Sequence, residues 1–183
     1  MSLVIIYKEK VVPALRQQFG YRNVLAVPKI TKVTINAGVG RMTKDKQYID
    51  DVVKGVTRLA GQKAVITRAR KSISAFKVKA GDPVGVMVTL RGARMWDFLD
   101  KLVNVTLPRV RDFRGLNQTA VDQRGNLTLG FKEQTAWPEI KLDQVENTYG
   151  LELSVATTAD NQAAGLALFR ALGFPFKTAK DNK

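Results

Sequence analysis

Apolar and polar residues alternate in four stretches of the chain, and this two-residue period predicts β-strands that are buried on one face only. The clearest stretch covers residues 30–37, where Val33 and Ile35 share one face and Thr34 and Asn36 share the other. A strand of this kind leaves an open, polar face for solvent or for a partner. The other alternating stretches are Val84–Leu90, Leu127–Phe131 and Leu151–Val155.

Apolar residues recur at helical spacing in four further stretches, which predicts four helices that each bury one face. Pro13 predicts that the first helix begins at Val12 or is kinked. Gly61 and Pro108 predict the ends of the second and third helices, and Asp160 is the predicted N-cap of the fourth. The stretches run from Val11 to Phe19, from Ile49 to Ala60, from Trp96 to Val103 and from Leu166 to Leu172.

The order of these elements predicts one α+β domain over residues 1–183, with helices packed on one face of a largely antiparallel sheet. Strands that alternate, instead of running continuously apolar, favour this arrangement over a doubly wound parallel sheet. Two long basic excursions are expected to leave this framework, at residues 67–83 and 108–126.

The charge of the chain is strongly positive and unevenly distributed. The 183 residues carry 30 Lys and Arg against 16 Asp and Glu, a net charge of +14. Residues 1–132 hold 25 basic and 9 acidic side chains, whereas residues 133–183 hold 5 and 7. A polyanionic partner is therefore expected to bind the first two thirds of the chain.

The chain has no cysteine and no histidine, which excludes several kinds of chemistry. Disulfides, zinc sites of thiolate or imidazole ligands, the commonest general base and most nucleophile dyads all need these residues. We therefore expect a protein that is not an enzyme and needs no metal and no cofactor. The four apolar residues before Tyr7 are too few for a signal-peptide core, and no stretch has the length of a membrane span. A cytoplasmic protein without a membrane partner is expected.

The segment from Val52 to Gly81 contains eight Lys or Arg residues and no Asp or Glu. Positive charge at this density repels itself, and an anionic partner relieves the repulsion. Arginine forks, serine hydroxyls and a stackable Phe76 suit RNA phosphates and unpaired bases. The alternative is a solvated basic loop. The candidate RNA-binding residues here are Lys63, Arg68, Arg70, Lys71, Ser72, Lys77 and Lys79.

A second candidate RNA-binding segment, residues 108–115, interleaves three arginines with Phe113. Guanidinium planes and aromatic rings both stack on nucleobases, at roughly 1–3 kcal/mol per base. The alternative is a basic loop with Phe113 in the core and Asp112 paired locally. The candidate residues are Arg109, Arg111 and Arg114.

Gly38 and Gly40 follow a predicted strand and precede a predicted helix, where dinucleotide-binding loops are found. Thr43 stands where a third glycine would be expected and Lys44 follows it, so a nucleotide fingerprint is not favoured. The two glycines suit either a close approach of the backbone to RNA or a simple structural turn.

An acidic segment lies in the last third of the chain. Glu139, Asp143 and Glu146 follow Trp137, and only Lys141 compensates their charge locally. Charge of this sign disfavours RNA and favours a basic protein partner.

Many motifs, in order along nearly the whole chain, resemble the bacterial large-subunit ribosomal protein five family, which binds 5S ribosomal RNA. The motifs are VTINAGVG at 33–40, AGQK at 60–63, TRARKS at 67–72, VTLRG at 88–92, PRVRDFRG at 108–115, RGN at 124–126, FKEQ at 131–134, PEI at 138–140 and FPF at 174–176. So many ordered motifs make chance similarity very improbable.

The resemblance implies an antiparallel sheet with helices, and a ribosome-bound place in the central protuberance of the large subunit. The family binds 5S and 23S ribosomal RNA, reaches P-site transfer RNA with its basic loop, and meets small-subunit ribosomal protein thirteen across an intersubunit bridge. Carried over by position, the residues near 5S RNA are Asn36, Gly38, Gly40, Thr89, Arg91 and Gly92. The bridge residues are Glu139, Asp143 and Glu146. One departure is Asp82, which stands in the basic loop where the family often has a neutral residue.

Overall fold

The computed structural model describes residues 2–40, 42, 45–140 and 147–177, which cluster into two compact units. The first unit comprises the described parts of Met1–Val33, Arg91–Leu129 and Ser154–Lys183. The second comprises those of Thr34–Leu90 and Gly130–Leu153.

Five strands form an antiparallel sheet in the order β2-β3-β1-β5-β4. Burial alternates along the strands, as in β4, where Leu127, Leu129 and Phe131 are buried while Thr128 and Gly130 are exposed. The predicted α+β class with a largely antiparallel sheet is therefore confirmed. The strands are β1 Ile30–Gly38, β2 Val65–Arg68, β3 Pro83–Leu90, β4 Leu127–Phe131 and β5 Leu151–Thr157.

The N-terminal helical segment lies in the first unit and begins earlier than its apolar pattern predicts. It consists of α1 (Leu3–Ile6), a π-helical turn (Tyr7–Val11) and α2 (Val12–Phe19). The predicted start of the helix at Val12 is wrong, because α1 and the π turn precede this residue without a break, and only the α-helical part α2 begins there. Pro13 has no N–H for the preceding turn, and the wider π turn just before it accommodates that loss.

The second unit contains α3 (Lys46–Ala60), which follows its sequence signals closely. The Oδ1 atom of Asp45 accepts a hydrogen bond from the amide of Tyr48 (3.1 Å) and caps the N-terminus. Gly61, in the left-handed conformation at φ 64°, ends the helix as predicted. The buried face of α3 packs against β3.

The third predicted helix is longer than expected. It consists of α4 (Gly92–Lys101), a π turn (Leu102–Thr106) and α5 (Leu107–Arg109). The predicted end before Pro108 is wrong, because this proline lies in the first turn of α5, where its missing N–H costs no helical bond.

The last helix, α6 (Gln162–Ala171), begins one residue later than a helix capped by Asp160 would begin. Asn161, not Asp160, is the N-cap, and its Oδ1 accepts a hydrogen bond from the amide of Ala164 (2.8 Å). Four short 3₁₀ turns complete the described elements, at Val24–Ala26, Ser74–Phe76, Gln118–Ala120 and Gln134–Ala136.

Among the described residues, no helix has the length and apolar character needed to cross a membrane. The same residues hold no group of three or more acidic side chains placed to bind a metal ion.

Candidate RNA interface

The basic segment of the second unit folds as a hairpin between β2 and β3, which pair antiparallel. It is shorter than the predicted excursion over 67–83, because Arg68 ends β2 and Pro83 begins β3. Residues 69–82 are called the basic hairpin below.

Backbone hydrogen bonds continue the β2–β3 ladder into the basic hairpin. At its base, the amide of Ala69 donates to the carbonyl of Asp82 (2.8 Å). Near its tip, Ile73 and Val78 exchange two hydrogen bonds of 2.9 and 3.2 Å around the short turn. The segment is therefore an ordered structure and not an irregular loop.

The side chains of the basic hairpin point outward. Arg70, Lys71, Lys77 and Lys79 are all exposed, and Phe76 at the tip is 75% exposed. Phe76 therefore does not pack in the core, and its ring is available to a partner.

Arg68 and Ser72, two of the predicted RNA-binding residues, also hold the hairpin together. The Nη1 atom of Arg68 donates to the carbonyl of Gly81 (2.9 Å). The hydroxyl oxygen of Ser72 accepts a hydrogen bond from the amide of Ala80 (2.9 Å). Part of their contribution to any binding would therefore be structural.

Polar side chains line the open face of the sheet in the second unit, as the alternation predicts. Asn36 on β1 and Thr89 on β3 are half-buried. Gly85 lies between neighbours: the Thr67 hydroxyl and the Asn36 Oδ1 are 2.7 and 3.3 Å from where its β-carbon would stand. Lys63, in the link between α3 and β2, is exposed.

Gly38 and Gly40 are exposed at the end of β1, and neither needs to be glycine for conformational reasons. The described glycines with positive φ do not include them. A β-carbon would meet nothing within 4 Å at Gly38, and at Gly40 only the Val84 carbonyl oxygen at 3.9 Å. The backbone conformation and the surroundings of Gly38 and Gly40 therefore do not require glycine, and a close approach of RNA to the backbone there stays a prediction.

A groove in the second unit brings these glycines and the basic hairpin together. It has a volume of about 1470 Å³. One part of its lining is basic, another is apolar, and two tyrosines also line it. The lining includes Gly38, Val39, Gly40, Tyr48, Arg70, Lys71, Ile73, Phe76, Lys77, Val84 and Tyr149. Such a mixed lining suits phosphates and nucleobases at once.

The arginine segment lies in the first unit, where the C-terminal residues hold it in place. The amide of Leu116 donates to the carbonyl of Pro175 (2.7 Å), and the amide of Lys177 donates to the carbonyl of Leu116 (2.9 Å). Phe113 is half-buried. The three arginines Arg109, Arg111 and Arg114 are exposed.

Arg91 and Gly92 also belong to the first unit, at the start of α4. Arg91 is exposed and takes the N-cap position with an extended backbone, and its side chain makes no capping bond. Gly92 has φ +58°, and this backbone conformation by itself favours glycine, whether or not a partner binds there.

The acidic segment is only partly described. Asp143 and Glu146 lie outside the described residues, and Glu139 is half-buried in the second unit. The buried Gln134 joins the two ends of the segment: its Nε2 donates to the carbonyl of Asn147 and its Oε1 accepts from the amide of Tyr149, both at 2.8 Å.

Sequence reasoning missed the structural roles of two residues that shape these surfaces. Gln134 had no signal beyond its place in the FKEQ motif, since a glutamine is usually exposed. Asp82 did have a signal: an aspartate three residues after Lys79, just before a strand, is typical of a side chain that bonds to a nearby backbone amide.

Comparisons with known proteins agree with these features. A family model described as "Ribosomal protein L5" matches residues 23–79, and a second model, for the C-terminus of the same ribosomal protein family, matches residues 83–176. The chain is 50% identical over 172 residues to the large ribosomal subunit protein uL5 of Marinomonas sp. (strain MWYL1), covering 94% of this chain and 96% of that one. It is 52% identical over 171 residues to the uL5 protein of Solibacter usitatus (strain Ellin6076), covering 93% and 95%. For Cupriavidus taiwanensis uL5 the identity is 51% over 171 residues, again covering 93% and 95%.

Proposed function

The chain belongs to the ribosomal protein L5 family and is a structural constituent of the large ribosomal subunit, and on that premise we propose that it binds 5S ribosomal RNA and helps attach it to the central protuberance. In this proposal Asn36, Gly38, Gly40 and Thr89 of the second unit contact 5S RNA. Arg91 and Gly92 of the first unit contribute further contacts.

The observation that carries the proposal is the pair of glycines at the end of β1. An exposed glycine that has neither a positive φ nor a close neighbour could be another residue without strain. Such a glycine lowers the stability of the fold slightly, because the unfolded chain is more flexible at that position. Gly38 and Gly40 line one groove with Arg70, Lys71 and Lys77. A backbone that a partner can approach closely, next to exposed positive charge, suits a folded RNA.

We assign the exposed arginines Arg109, Arg111 and Arg114 to 23S ribosomal RNA. Their segment is held by backbone hydrogen bonds to the C-terminal residues, so the guanidinium groups are presented on an ordered backbone. Ordered presentation reduces the entropy lost on binding.

The tip of the basic hairpin is proposed to reach P-site transfer RNA. Phe76, at 75% exposure, and Lys77 are the residues at the tip. A stackable ring beside an ammonium group suits an exposed base and its phosphate.

The acidic segment is proposed to meet small-subunit ribosomal protein thirteen across an intersubunit bridge. Glu139, Asp143 and Glu146 would supply the negative charge that a basic partner requires. We further propose that residues 1–183 act as one ribosomal RNA-binding domain in the cytoplasm, without catalysis.

Substituting Gly38 tests the proposal with little risk to the fold. Because φ is ordinary and space is open at this position, Gly38→Ala should leave the melting temperature unchanged or slightly higher. Its affinity for 5S RNA should fall by roughly 1–3 kcal/mol if RNA approaches the backbone there. Filter binding and thermal unfolding on the same preparation give both values.

Gly130→Ala is the matched control. Gly130 is exposed on β4, has no positive φ, and a β-carbon there would also meet nothing within 4 Å. It should leave 5S RNA binding unchanged. Equal binding by both variants and the wild type would contradict the proposed contact at Gly38.

A further inference from the structure

Asp82 is an acid in a hairpin whose charged neighbours are otherwise basic. Arg70, Lys71, Lys77 and Lys79 are all exposed around it. By charge alone, Asp82 should weaken the attraction of the basic hairpin for RNA, and its removal should strengthen binding.

The geometry gives Asp82 a different role. Its Oδ2 accepts a hydrogen bond from the amide of Lys79 (2.8 Å), and its own amide donates to the carbonyl of Lys79 (3.1 Å). Its carbonyl accepts from the amide of Ala69 (2.8 Å) on the opposite side of the hairpin. The carboxylate therefore fixes the turn at residues 79–82, and the backbone of the same residue closes the base of the hairpin.

Two other side chains bond to the same turn. Ser72 Oγ accepts from the amide of Ala80 (2.9 Å), and Arg68 Nη1 donates to the carbonyl of Gly81 (2.9 Å). Of the three, only the Asp82 carboxylate supports the amide of Lys79.

The rest of the basic hairpin buries few of its side chains, so packing contributes little to its stability. Residues 70–77 are all exposed, including Ile73 at 47% and Phe76 at 75%. Lys77 has φ 54°, a conformation that is unfavourable for a residue with a side chain. An exposed two-stranded hairpin is marginal by itself, so its order depends on the hydrogen bonds at its base.

We propose that Asp82 is a positioning residue, whose carboxylate orders the basic hairpin for RNA and so increases the affinity for a polyanion despite its negative charge. The inference rests on the proposed function of the hairpin in holding P-site transfer RNA. Order in the free protein lowers the entropy cost of binding, and this gain exceeds the screened repulsion of one partly exposed charge.

Two substitutions separate the charge of Asp82 from its hydrogen bond. Asp82→Asn removes the charge and keeps an oxygen that can accept from the amide of Lys79. Asp82→Ala removes both. Ribosomes reconstituted with each variant would be loaded with deacylated transfer RNA in the P site, and its dissociation rate measured.

We expect Asp82→Ala to raise the dissociation rate by about fivefold, the effect of losing one hydrogen bond of about 1 kcal/mol. Transfer RNA should dissociate from ribosomes that carry Asp82→Asn at the wild-type rate or more slowly. Amide exchange at Lys79 and Ala80 in the free protein should accelerate in Asp82→Ala and stay slow in Asp82→Asn. This second measurement also applies if the alanine variant fails to enter the particle.

The triple variant Arg70→Ala, Lys71→Ala, Lys77→Ala separates this inference from the proposed function. If the triple variant accelerates dissociation and Asp82→Ala does not, the role of Asp82 is overturned and the hairpin function stands. Slower dissociation of transfer RNA with both Asp82 variants would mean that the carboxylate acts by charge alone. This result would also overturn the positioning role of Asp82. If the triple variant has no effect, the hairpin does not hold transfer RNA and both proposals fall.

Discussion

The hydroxyl of Tyr149 occupies the space in which a β-carbon on Gly55 of α3 would stand. Tyr149 is 7% exposed, and in the part of the chain that the structure describes its hydroxyl has no hydrogen-bond partner. The ring thus packs on α3 only because residue 55 has no side chain.

Gly55→Ala should therefore destabilise the protein although it places a better helix former within α3. The gain in helix propensity is about 1 kcal/mol, and overpacking of this kind costs roughly 1–3 kcal/mol. We expect a net loss of about 1 kcal/mol in the free energy of unfolding, measured by urea denaturation.

The same substitution in a Tyr149→Phe background should be nearly neutral, because the overlapping oxygen is gone and the remaining contact, to Cζ, is 3.2 Å. A double-mutant cycle measures this coupling. Purely additive effects would show that the Tyr149 hydroxyl is not what excludes a side chain at Gly55.

The stability of the protein at alkaline pH should depend on Tyr149. Burial, with a smaller contribution from the neighbouring Tyr48, raises the pKa of Tyr149 to about 12, whereas an unfolded tyrosine titrates near pH 10. Between these values the unfolded chain releases the proton and the folded chain keeps it. Stability should therefore fall as pH rises, by at most about 1.4 kcal/mol per pH unit from this residue.

Tyr149→Phe should remove the contribution of Tyr149 to the loss of stability at high pH. It should leave the free energy of unfolding at pH 7 unchanged or higher, because the substitution removes a buried hydroxyl that has no hydrogen-bond partner among the described residues. Urea unfolding of both proteins at pH 9, 10 and 11 measures the difference. Parallel pH profiles would contradict the raised pKa.

The start of α6 supplies a test of side-chain capping. Asn161→Ala should lower the free energy of unfolding by about 1 kcal/mol, because it removes the acceptor for the amide of Ala164. Asp160→Ala, one residue earlier, should change it by less than about 0.5 kcal/mol. A larger loss in the free energy of unfolding for Asp160→Ala than for Asn161→Ala would show that Asp160 is the cap.

Four of the five strands and the end of α3 could be predicted because their signals are local. The alternation in β3 and β4 and the glycine after α3 each act within a few residues. Asp160 and Asn161 are both good capping residues, so their order alone could not decide between them. The prolines misled because π turns before Pro13 and Pro108 let the helices continue, and no apolar period marks such turns.

The candidate site was predictable in residue type but not in arrangement. The density of positive charge indicated Arg70, Lys71 and Lys77. It could not show an ordered hairpin, because that order depends on backbone hydrogen bonds, such as those between Ile73 and Val78, which a charge pattern does not reveal. The contact between Gly55 and Tyr149 spans 94 residues of sequence, and only the folded chain brings them together.

The acidic segment predicts a salt-dependent effect on subunit association. Changing Glu139, Asp143 and Glu146 to Lys should weaken association with the small subunit, because like charges would then meet across the proposed bridge. Binding to 5S RNA should stay intact or become slightly stronger. The defect should shrink as salt rises, since charge interactions across a solvated interface are screened over about 8–10 Å.

Sedimentation of reconstituted subunits at several salt concentrations measures this effect, with incorporation of the variant confirmed in the particle. Unaltered association at low salt would mean that the acidic segment is a solvated surface.

The proposed function depends above all on specific binding to 5S ribosomal RNA. Binding of the purified protein to this RNA should be measured over a range of salt concentrations, in competition with a structured RNA of equal length. We predict preferential binding to 5S RNA, with an affinity that falls steeply with salt as several phosphates are neutralised, each adding a little less than one to the slope of log affinity against log salt. Equal binding to both RNAs, or an affinity that does not change with salt, would contradict the proposed function.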